Sequence, residues 1–282
     1  GLQFIDRADT VTEAFSIFPL GATRGESLSG EIRGEGLESA YALWFEDLGL
    51  SGEIKGVEGI ELPKKIVNPA GGSFIITQKP GQRIVVELKI SQSAKLGANH
   101  FRVVTPQGVS NALKFWVDDD RVIGEMHAKH SGPNSAQLVS LPAVINGRIA
   151  EPGELDYYKF EASAGSELSF RVLCDNCRNS VRAGFEPQIL LYNSHQSWLD
   201  PNQVTWIAAS RALQTDTSLV HQFKDTGQYL VAVASLLGKG TPDYSYQLQI
   251  SEQPVEHRKT ETPFWQERTF TRNIEPNTLI IS

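Results

Sequence analysis

The chain has 282 residues, of which 40% are hydrophobic and 21% charged, and its formal net charge is −7. This composition is typical of a globular protein and excludes an intrinsically disordered one. The 33 acidic residues outnumber the 26 basic ones, which argues against nucleic-acid binding, since that usually relies on a clustered basic face. No apolar run approaches the ~18 residues of a membrane span.

The two ends suggest a piece of a longer protein. The sequence begins at Gly1 without an initiator Met, and its last stretch, TFTRNIEPNTLIIS, resembles the start of another strand. We therefore expect either a fragment or a chain from which a leader has been removed.

Alternation of apolar and polar residues with a period of two recurs along the chain, most clearly at 84–90, 113–117, 168–172 and 244–250. Each run indicates a strand with one buried face and one solvent-exposed face. The stretch GQYLVAVAS, 227–235, is apolar on both faces and predicts a central strand. No persuasive amphipathic helix is found, and most glycines and prolines fall between the runs. An all-β fold of mostly antiparallel β-sandwiches is predicted.

One segment divides the chain into two blocks of sandwich size. Residues 119–136 have few apolar side chains, no clear period and a Gly-Pro-Asn turn, and this composition indicates a linker. We predict one sandwich over 1–118 and a second over 137–251, each folding around its own core. Residues 252–282 are predicted to be a tail or the start of a further segment.

The second block carries a family resemblance. The run LPAVINGRIAEPGELDYYKFEASAGSELSFRV, Leu141 to Val172, and the later FEPQILLYN, FKDTGQYLVAVAS and GTPDYSYQLQIS resemble the bacterial pre-peptidase C-terminal domain. The resemblance implies a jelly-roll-like β-sandwich of secreted bacterial proteins, often beside a peptidase and itself non-catalytic.

The first block is similar, less strongly, to IPT/TIG immunoglobulin-like domains over about Ser16 to Val117. The similar stretches are FPLGATRGESLSGEIRGEGL, ALWF and LGANHFRVVTPQGVSNALKFWV. This resemblance implies an immunoglobulin-like sandwich.

The stretch GELDYYKFEA has two interpretations. Glu154 and Asp156 could form a carboxylate pair for acid–base work, or they could mark the entry to a buried strand. Alternation places Tyr158 on the face of Asp156 and Tyr157 on the other face. Because no second set of polar groups is visible nearby, we favour the strand entry, with Asp156 accepting backbone N–H bonds in the turn.

Relatives of the pre-peptidase domain, the collagenase collagen-binding modules, hold calcium through a Glu-x-Glu-x-Asn run and two Asp residues at the strand entry. Here the run is HSGPN, so Asn134 matches while His130 stands at an acidic position. At the entry Asp156 matches, but Gly153 replaces the other Asp. Calcium takes six to eight oxygens, so two carried-over ligands, Asn134 and Asp156, are too few. We predict no cofactor and leave calcium open as the alternative.

Cys174 and Cys177 are the only cysteines and form a CDNC pair after a predicted strand. A zinc ribbon needs a second pair or spaced histidines, and a redox site usually needs a helix N-terminus. A short-loop disulfide is the favoured prediction, and two thiols in a turn remain the alternative.

Aromatic residues suggest a binding surface in the second block. Trp198 and Trp206 flank a polar loop near Tyr192, and such rings can stack on sugars or contact peptide. The alternative is that Trp206 is a core residue and Trp198 covers the loop. His127 and His130, which lie in the expected linker, are predicted to be solvated.

No nucleophile elbow, zinc-protease motif or P-loop is present. The sequence therefore predicts a non-catalytic accessory or spacer region of an exported bacterial protein: secreted, periplasmic or at the cell surface. Its expected partners are neighbouring domains of a longer chain and an extracellular protein or polysaccharide, but no nucleic acid or membrane span. A hydrolase with a site between the two modules is the alternative.

Overall fold

A computed structural model describes residues 11–60, 65–67, 73–75, 81–126, 130–175, 185–193, 205–211 and 217–252. Within these ranges the regular structure is β-strand, apart from a 3-10 turn at Pro133–Ser135. The predicted all-β fold is confirmed. No helix in the described ranges is long and apolar enough to cross a membrane.

The strands before residue 119 form two facing sheets and a separate two-stranded pair. They are β1 (Glu13–Phe18), β2 (Gly21–Thr23), β3 (Ser27–Glu35), β4 (Ala42–Phe45), β5 (Leu50–Ile60), β6 (Lys65–Val67), β7 (Ser73–Ile75), β8 (Gly81–Ile90), β9 (Gly97–Thr105), β10 (Gly108–Val109) and β11 (Leu113–Asp118). One sheet has the order β1-β3-β8-β5 and the other β10-β9-β11-β2, with β4 beside β9. Strands β6 and β7 pair separately. The alternating strands bury a shared core that includes Ile17, Ile32, Ile84, Phe101 and Phe115.

The strands after residue 119 form a second pair of sheets. They are β12 (Val122–Gly124), β13 (Gln137–Leu138), β14 (Ala143–Arg148), β15 (Leu155–Ala162), β16 (Glu167–Leu173), β17 (Pro187–Asn193), β18 (Thr205–Arg211), β19 (Thr217–Gln222), β20 (Gly227–Ser235) and β21 (Ser245–Ser251). The sheet orders are β12-β14-β21-β16-β19 and β13-β15-β20-β17-β18. As predicted, the stretch 227–235 is a central strand, paired on both sides. The core is rich in aromatic rings, including Tyr158, Phe160, Phe170, Phe223 and Tyr246.

Part of the expected linker belongs to the second sandwich. Strand β12 pairs in parallel with β14, with Val122 opposite Val144, and Ile123 packs against the second core. The prediction of an irregular linker over 119–136 is therefore wrong at these residues. Three residues are too few for an alternating pattern to be recognised, and the pairing depends on a strand that follows later in the chain.

The two sandwiches share apolar and backbone contacts. Leu173, at the end of β16, is 2% exposed and packs into the core of the first sandwich. The side chain of Asn146 donates to the carbonyl of Gly21 at 2.9 Å. A Cβ atom at Gly21 would meet the Gln247 side-chain nitrogen at 2.7 Å. Position 21 therefore has no room for a side chain, since Trp116 of the first sandwich and Gln247 of the second both lie against it.

Charged side chains surround this junction. Arg33 of the first sandwich pairs with Asp243 of the second at 2.9 Å, and Ser16 donates to the same carboxylate oxygen at 3.0 Å. A second ion pair has its arginine on the other sandwich: Arg148 of the second sandwich lies 2.8 Å from Glu31 of the first. The side chains of both pairs are 12–23% exposed, so the ion pairs are better shielded from solvent than ordinary surface pairs.

Candidate functional sites

A hydrogen-bonded chain of polar groups links the two sheets of the second sandwich. Strand β15 supplies Asp156 and Tyr158, and β21 supplies Tyr246 from the opposite sheet. The Tyr246 hydroxyl donates to Asp156 Oδ2 at 2.7 Å, and the two tyrosine hydroxyl oxygens are 2.6 Å apart. A hydroxyl has one proton to give. Tyr158 is therefore the donor to Tyr246, and both hydroxyl groups are oriented towards the carboxyl group.

His130 and Glu125 approach the same carboxyl group from the segment before β13. His130 is 5% exposed. Its Nε2 lies 3.4 Å from its hydrogen-bond partner, the Tyr158 hydroxyl oxygen, 3.9 Å from Asp156 Oδ1 and 4.0 Å from Glu125 Oε2. The backbone fixes both positions. Tyr157 N donates to the carbonyl of His130 at 2.9 Å, and Arg148 N donates to Glu125 Oε2 at 3.0 Å.

Two expectations about this region are wrong. His130 is buried rather than solvated, because the segment around it returns to pair with β15. Asp156 does not cap the turn, since it is 1% exposed and accepts from Tyr246 inside the sandwich. The turn carboxylate is Glu154, which accepts from Ala150 N at 2.6 Å and from Glu151 N at 2.8 Å. The predicted alternation along β15 is confirmed.

Burial shifts the titration of this cluster. Loss of solvation raises the pKa of Asp156 to about 8 and the pKa of Glu125 to about 7. The same effect lowers the pKa of His130. Near neutral pH the metal-free group therefore holds an uncharged Asp156 and an uncharged His130. Asp156 Oδ1 has no hydrogen-bond partner among the described residues.

The two predicted calcium ligands, Asn134 and Asp156, lie in different surroundings. Asn134 is exposed within the 3-10 turn, whereas Asp156 is buried among Tyr246, His130 and Glu125. The calcium site at Asn134 and Asp156 stays a prediction. What the structure groups instead is Glu125, His130 and Asp156, with one ligand atom from each within 4.8 Å of the others. Glu125 was missed because nothing in its local sequence indicates that it returns to β15.

A second candidate lies on the outer face of the first sandwich. Tyr41, Trp44 and Val109 are 65%, 52% and 54% exposed. Trp44 on β4 stands opposite Arg102 on β9. Together with Val109 they line a shallow depression of roughly 330 Å³. We call Tyr41, Trp44, Arg102 and Val109 the Trp44 patch. It was not predicted, because the four residues ALWF are too few for alternation to show which side chain is exposed.

The other predicted binding residues are only partly described. Tyr192 is half-buried, and its ring centre lies 5.9 Å from that of Tyr157. Trp206 is on β18 opposite Tyr192, but its side chain and all of Trp198 lie outside the described residues. A binding surface at these three aromatics stays a prediction.

The predicted disulfide also falls partly outside the described ranges. Cys174 follows β16 and is 4% exposed. Cys177 is not among the described residues. The pairing of Cys174 with Cys177 stays a prediction.

The junction between the sandwiches was the alternative place for a hydrolytic site. Its serine, Ser16, donates to Asp243, and the same carboxylate oxygen accepts from Arg33. A nucleophilic serine needs a base that is free to take its proton. Here the carboxylate is held by an arginine, so this arrangement favours a structural contact.

The fold defines an all-β protein of two packed β-sandwiches. No family model matches the chain, and no curated protein matches it. Among solved structures, it is similar to the pre-peptidase C-terminal domain of a Bacillus anthracis collagenase at 18% identity and a TM-score of 0.31. That match covers 41% of this chain and 94% of the other.

Two further similarities were found. The Aeromonas hydrophila periplasmic inhibitor of g-type lysozyme matches at 13% identity and a TM-score of 0.28, over 46% of this chain and 94% of the other. A Bacteroides ovatus protein from a mixed-linkage glucan utilization locus, in complex with a heptasaccharide, matches at 7% identity and a TM-score of 0.22. It covers 83% of this chain and 73% of the other. None of the three assigns this chain to a family.

Proposed function

We propose that this chain is a non-catalytic accessory region of an exported bacterial protein, in which two β-sandwiches act as one rigid spacer that presents a neighbouring domain. The observation that carries the proposal is the junction. A flexible linker between independent modules would leave their facing surfaces polar and solvated. Here a leucine of one sandwich packs into the core of the other, and ion pairs cross the boundary in both directions.

The ion pairs fix the orientation as well as the distance. The guanidinium group of Arg148 lies 4.1 Å from the centre of the Phe18 ring and also pairs with Glu31. A guanidinium group is planar, so it can stack on a ring and bind a carboxylate at the same time. Rotation of one sandwich against the other would break both contacts, and a stiff unit is expected.

Distance measurements between the sandwiches test the spacer proposal. Reporter groups at Leu48 and Val220, which are 99% and 51% exposed, would be introduced through unnatural amino acids so that Cys174 and Cys177 stay native. One narrow distance distribution is expected. The variant Arg148→Ala should broaden it.

Arg83→Ala is the matched control, because Arg83 also pairs with Glu31 but lies within the first sandwich. It should leave the distribution unchanged. A broad distribution in the unmutated chain would show two independently moving modules and would contradict the spacer role.

A second candidate function is polysaccharide binding at the Trp44 patch. An exposed tryptophan ring offers a flat apolar surface, and the adjacent Arg102 offers N–H donors. One of its nitrogens donates to Ser110 O at 2.7 Å. A sugar ring has an apolar face bordered by hydroxyl groups, so it suits this combination of stacking surface and donors.

Co-sedimentation with insoluble polysaccharides tests this candidate. The unmutated chain should bind one of them, and Trp44→Ala should abolish binding. Trp198→Ala, in the polar loop before Trp206, should keep it. Retention of the chain on immobilised collagen but on no polysaccharide would reject the polysaccharide and favour a protein surface. Equal binding by Trp44→Ala would reject the patch.

A further inference from the structure

The cluster of Glu125, His130 and Asp156 has features that a merely structural polar group lacks. Asp156 is 1% exposed, and one of its two oxygens has no hydrogen-bond partner among the described residues although it faces His130. Burying a polar atom without a hydrogen-bond partner is unfavourable. The carboxyl group is nevertheless held in place by Tyr246 through its other oxygen. One oxygen is thus fixed, and the other is presented to the imidazole and the second carboxyl group.

The surrounding residues orient the three groups as outer-shell partners orient metal ligands. Tyr246 binds the second oxygen of Asp156 and the backbone amide of Arg148 binds Glu125. The main chain of His130 is held by Tyr157 N, and its Nε2 lies 3.4 Å from the Tyr158 hydroxyl oxygen. In metal sites such partners fix the direction of each ligand. Two carboxylates would also balance the charge of a divalent cation, which removes the penalty of burying them.

The donor set discriminates between cations. Calcium binds six to eight oxygen ligands, whereas this cluster offers an imidazole nitrogen at its centre. Imidazole combined with carboxylate suits zinc and related divalent transition metals. The separations of 3.9 and 4.0 Å from the imidazole nitrogen compare with about 3.4 Å between ligands of a tetrahedral zinc ion with bonds of about 2.1 Å. A contraction of about half an ångström would bring these two separations to tetrahedral spacing, and the ligand atoms of Glu125 and Asp156 lie within 4.8 Å of each other.

We infer that Glu125, His130 and Asp156 form a binding site for a divalent transition metal of the zinc class. The fourth position of the metal is open to water, because the Glu125 side chain is 20% exposed and connects the cluster to the surface. The metal joins the segment before β13 to strand β15, so it fastens the start of the second sandwich. Because imidazole and carboxyl groups bind a metal only in their deprotonated forms, affinity should rise with pH.

The test uses the whole chain after treatment with a chelator. Calorimetric titration with zinc sulfate should give one site per chain, and the melting temperature should rise with zinc but not with calcium chloride. His130→Gln should weaken zinc binding at least ~100-fold, since removal of an outer partner alone costs about 10–100-fold. His100→Gln, a control at an exposed histidine that pairs with Glu46, should bind zinc like the unmutated chain.

X-ray absorption of the zinc-loaded, unmutated chain gives a second measurement that does not depend on any variant. It should show nitrogen and oxygen ligands with the signature of a single imidazole. Sulfur ligands would place the metal at the cysteines and overturn the inference. It would also be overturned by an absence of stoichiometric zinc, by equal losses in the two histidine variants, or by stabilisation with calcium alone.

Discussion

The hydroxyl group of Tyr246 on β21 donates a 2.7 Å hydrogen bond to Asp156 on β15, so this buried polar contact joins the two sheets of the second sandwich. Both residues are at most 1% exposed. Tyr246→Phe removes the donor and leaves a buried carboxyl group without a partner. We expect the free energy of unfolding to fall by about 1–3 kcal/mol, measured by urea denaturation.

Tyr158→Phe provides the comparison for that variant. Tyr158 donates to Tyr246, and its hydroxyl oxygen also lies 3.4 Å from His130 Nε2. Because Asp156 keeps its donor Tyr246 in this variant, the loss of the Tyr158 hydroxyl should cost less than the loss of the Tyr246 hydroxyl. If Tyr158→Phe were the more damaging change, the direction of the hydrogen-bonded chain would be wrong.

The pH dependence of stability follows from Asp156. Its pKa in the folded protein is about 8, above the ~3.9 of an unfolded chain, so the folded state holds this proton more tightly. The stabilisation is complete at low pH and is lost as pH rises through 8. The melting temperature of the metal-free protein should therefore fall as pH rises from about 5 to about 8 and level off above that.

Asp156→Asn isolates this effect, because an amide does not ionise. The variant should lose less stability than the unmutated chain over the same pH range, and it should be the more stable of the two at pH 9. A melting temperature of the unmutated chain that rises with pH would contradict the assignment.

Gly147 makes room for the Tyr246 ring. The two residues are opposite each other on β14 and β21, and a Cβ atom at 147 would overlap the end of the ring. Because the ring is fully buried and rigid, Gly147→Ala should destabilise the second sandwich by roughly 1–3 kcal/mol, the usual cost of overpacking. Gly227→Ala is the control, since a Cβ atom there meets nothing within 4 Å. Equal melting temperatures for the two variants would show that the ring can move.

Leu173 tests the apolar part of the junction. Leu173→Ala should cost about 2–5 kcal/mol, the usual range for a buried leucine, and the loss should reach the first sandwich although the residue belongs to the second. Hydrogen exchange of the amides of β11 should speed up in this variant. Unchanged exchange in β11 would show that the junction contributes nothing to the first core.

The sequence allows the strands to be predicted much better than the contacts between distant parts of the chain. The alternation at 155–162 and the doubly apolar run at 227–235 reflect burial that each strand experiences locally, and both predictions agree with the structure. Strand β12 is too short to carry a pattern. The burial of His130 and the position of Glu125 depend on pairing with β14 and β15, to which no local signal points.

The same holds for the candidate sites: a residue could be selected from its own strand, but its neighbours from distant segments could not. Asp156 could be selected from its place at a strand entry, because family resemblance and alternation both point to it. Its true neighbours come from three other segments, and so its role in the turn was predicted wrongly. The Trp44 patch was missed for a related reason, since exposure of a ring on a four-residue strand depends on which sheet the strand joins.

The most direct test of the central claim, that the two sandwiches form one rigid unit, is differential scanning calorimetry of the whole chain. Separate cores had suggested independent folding, but a shared leucine and crossing ion pairs predict coupled unfolding. The account predicts one transition whose calorimetric and van't Hoff enthalpies agree. Two separate transitions, each unaffected by Arg148→Ala and Leu173→Ala, would contradict it.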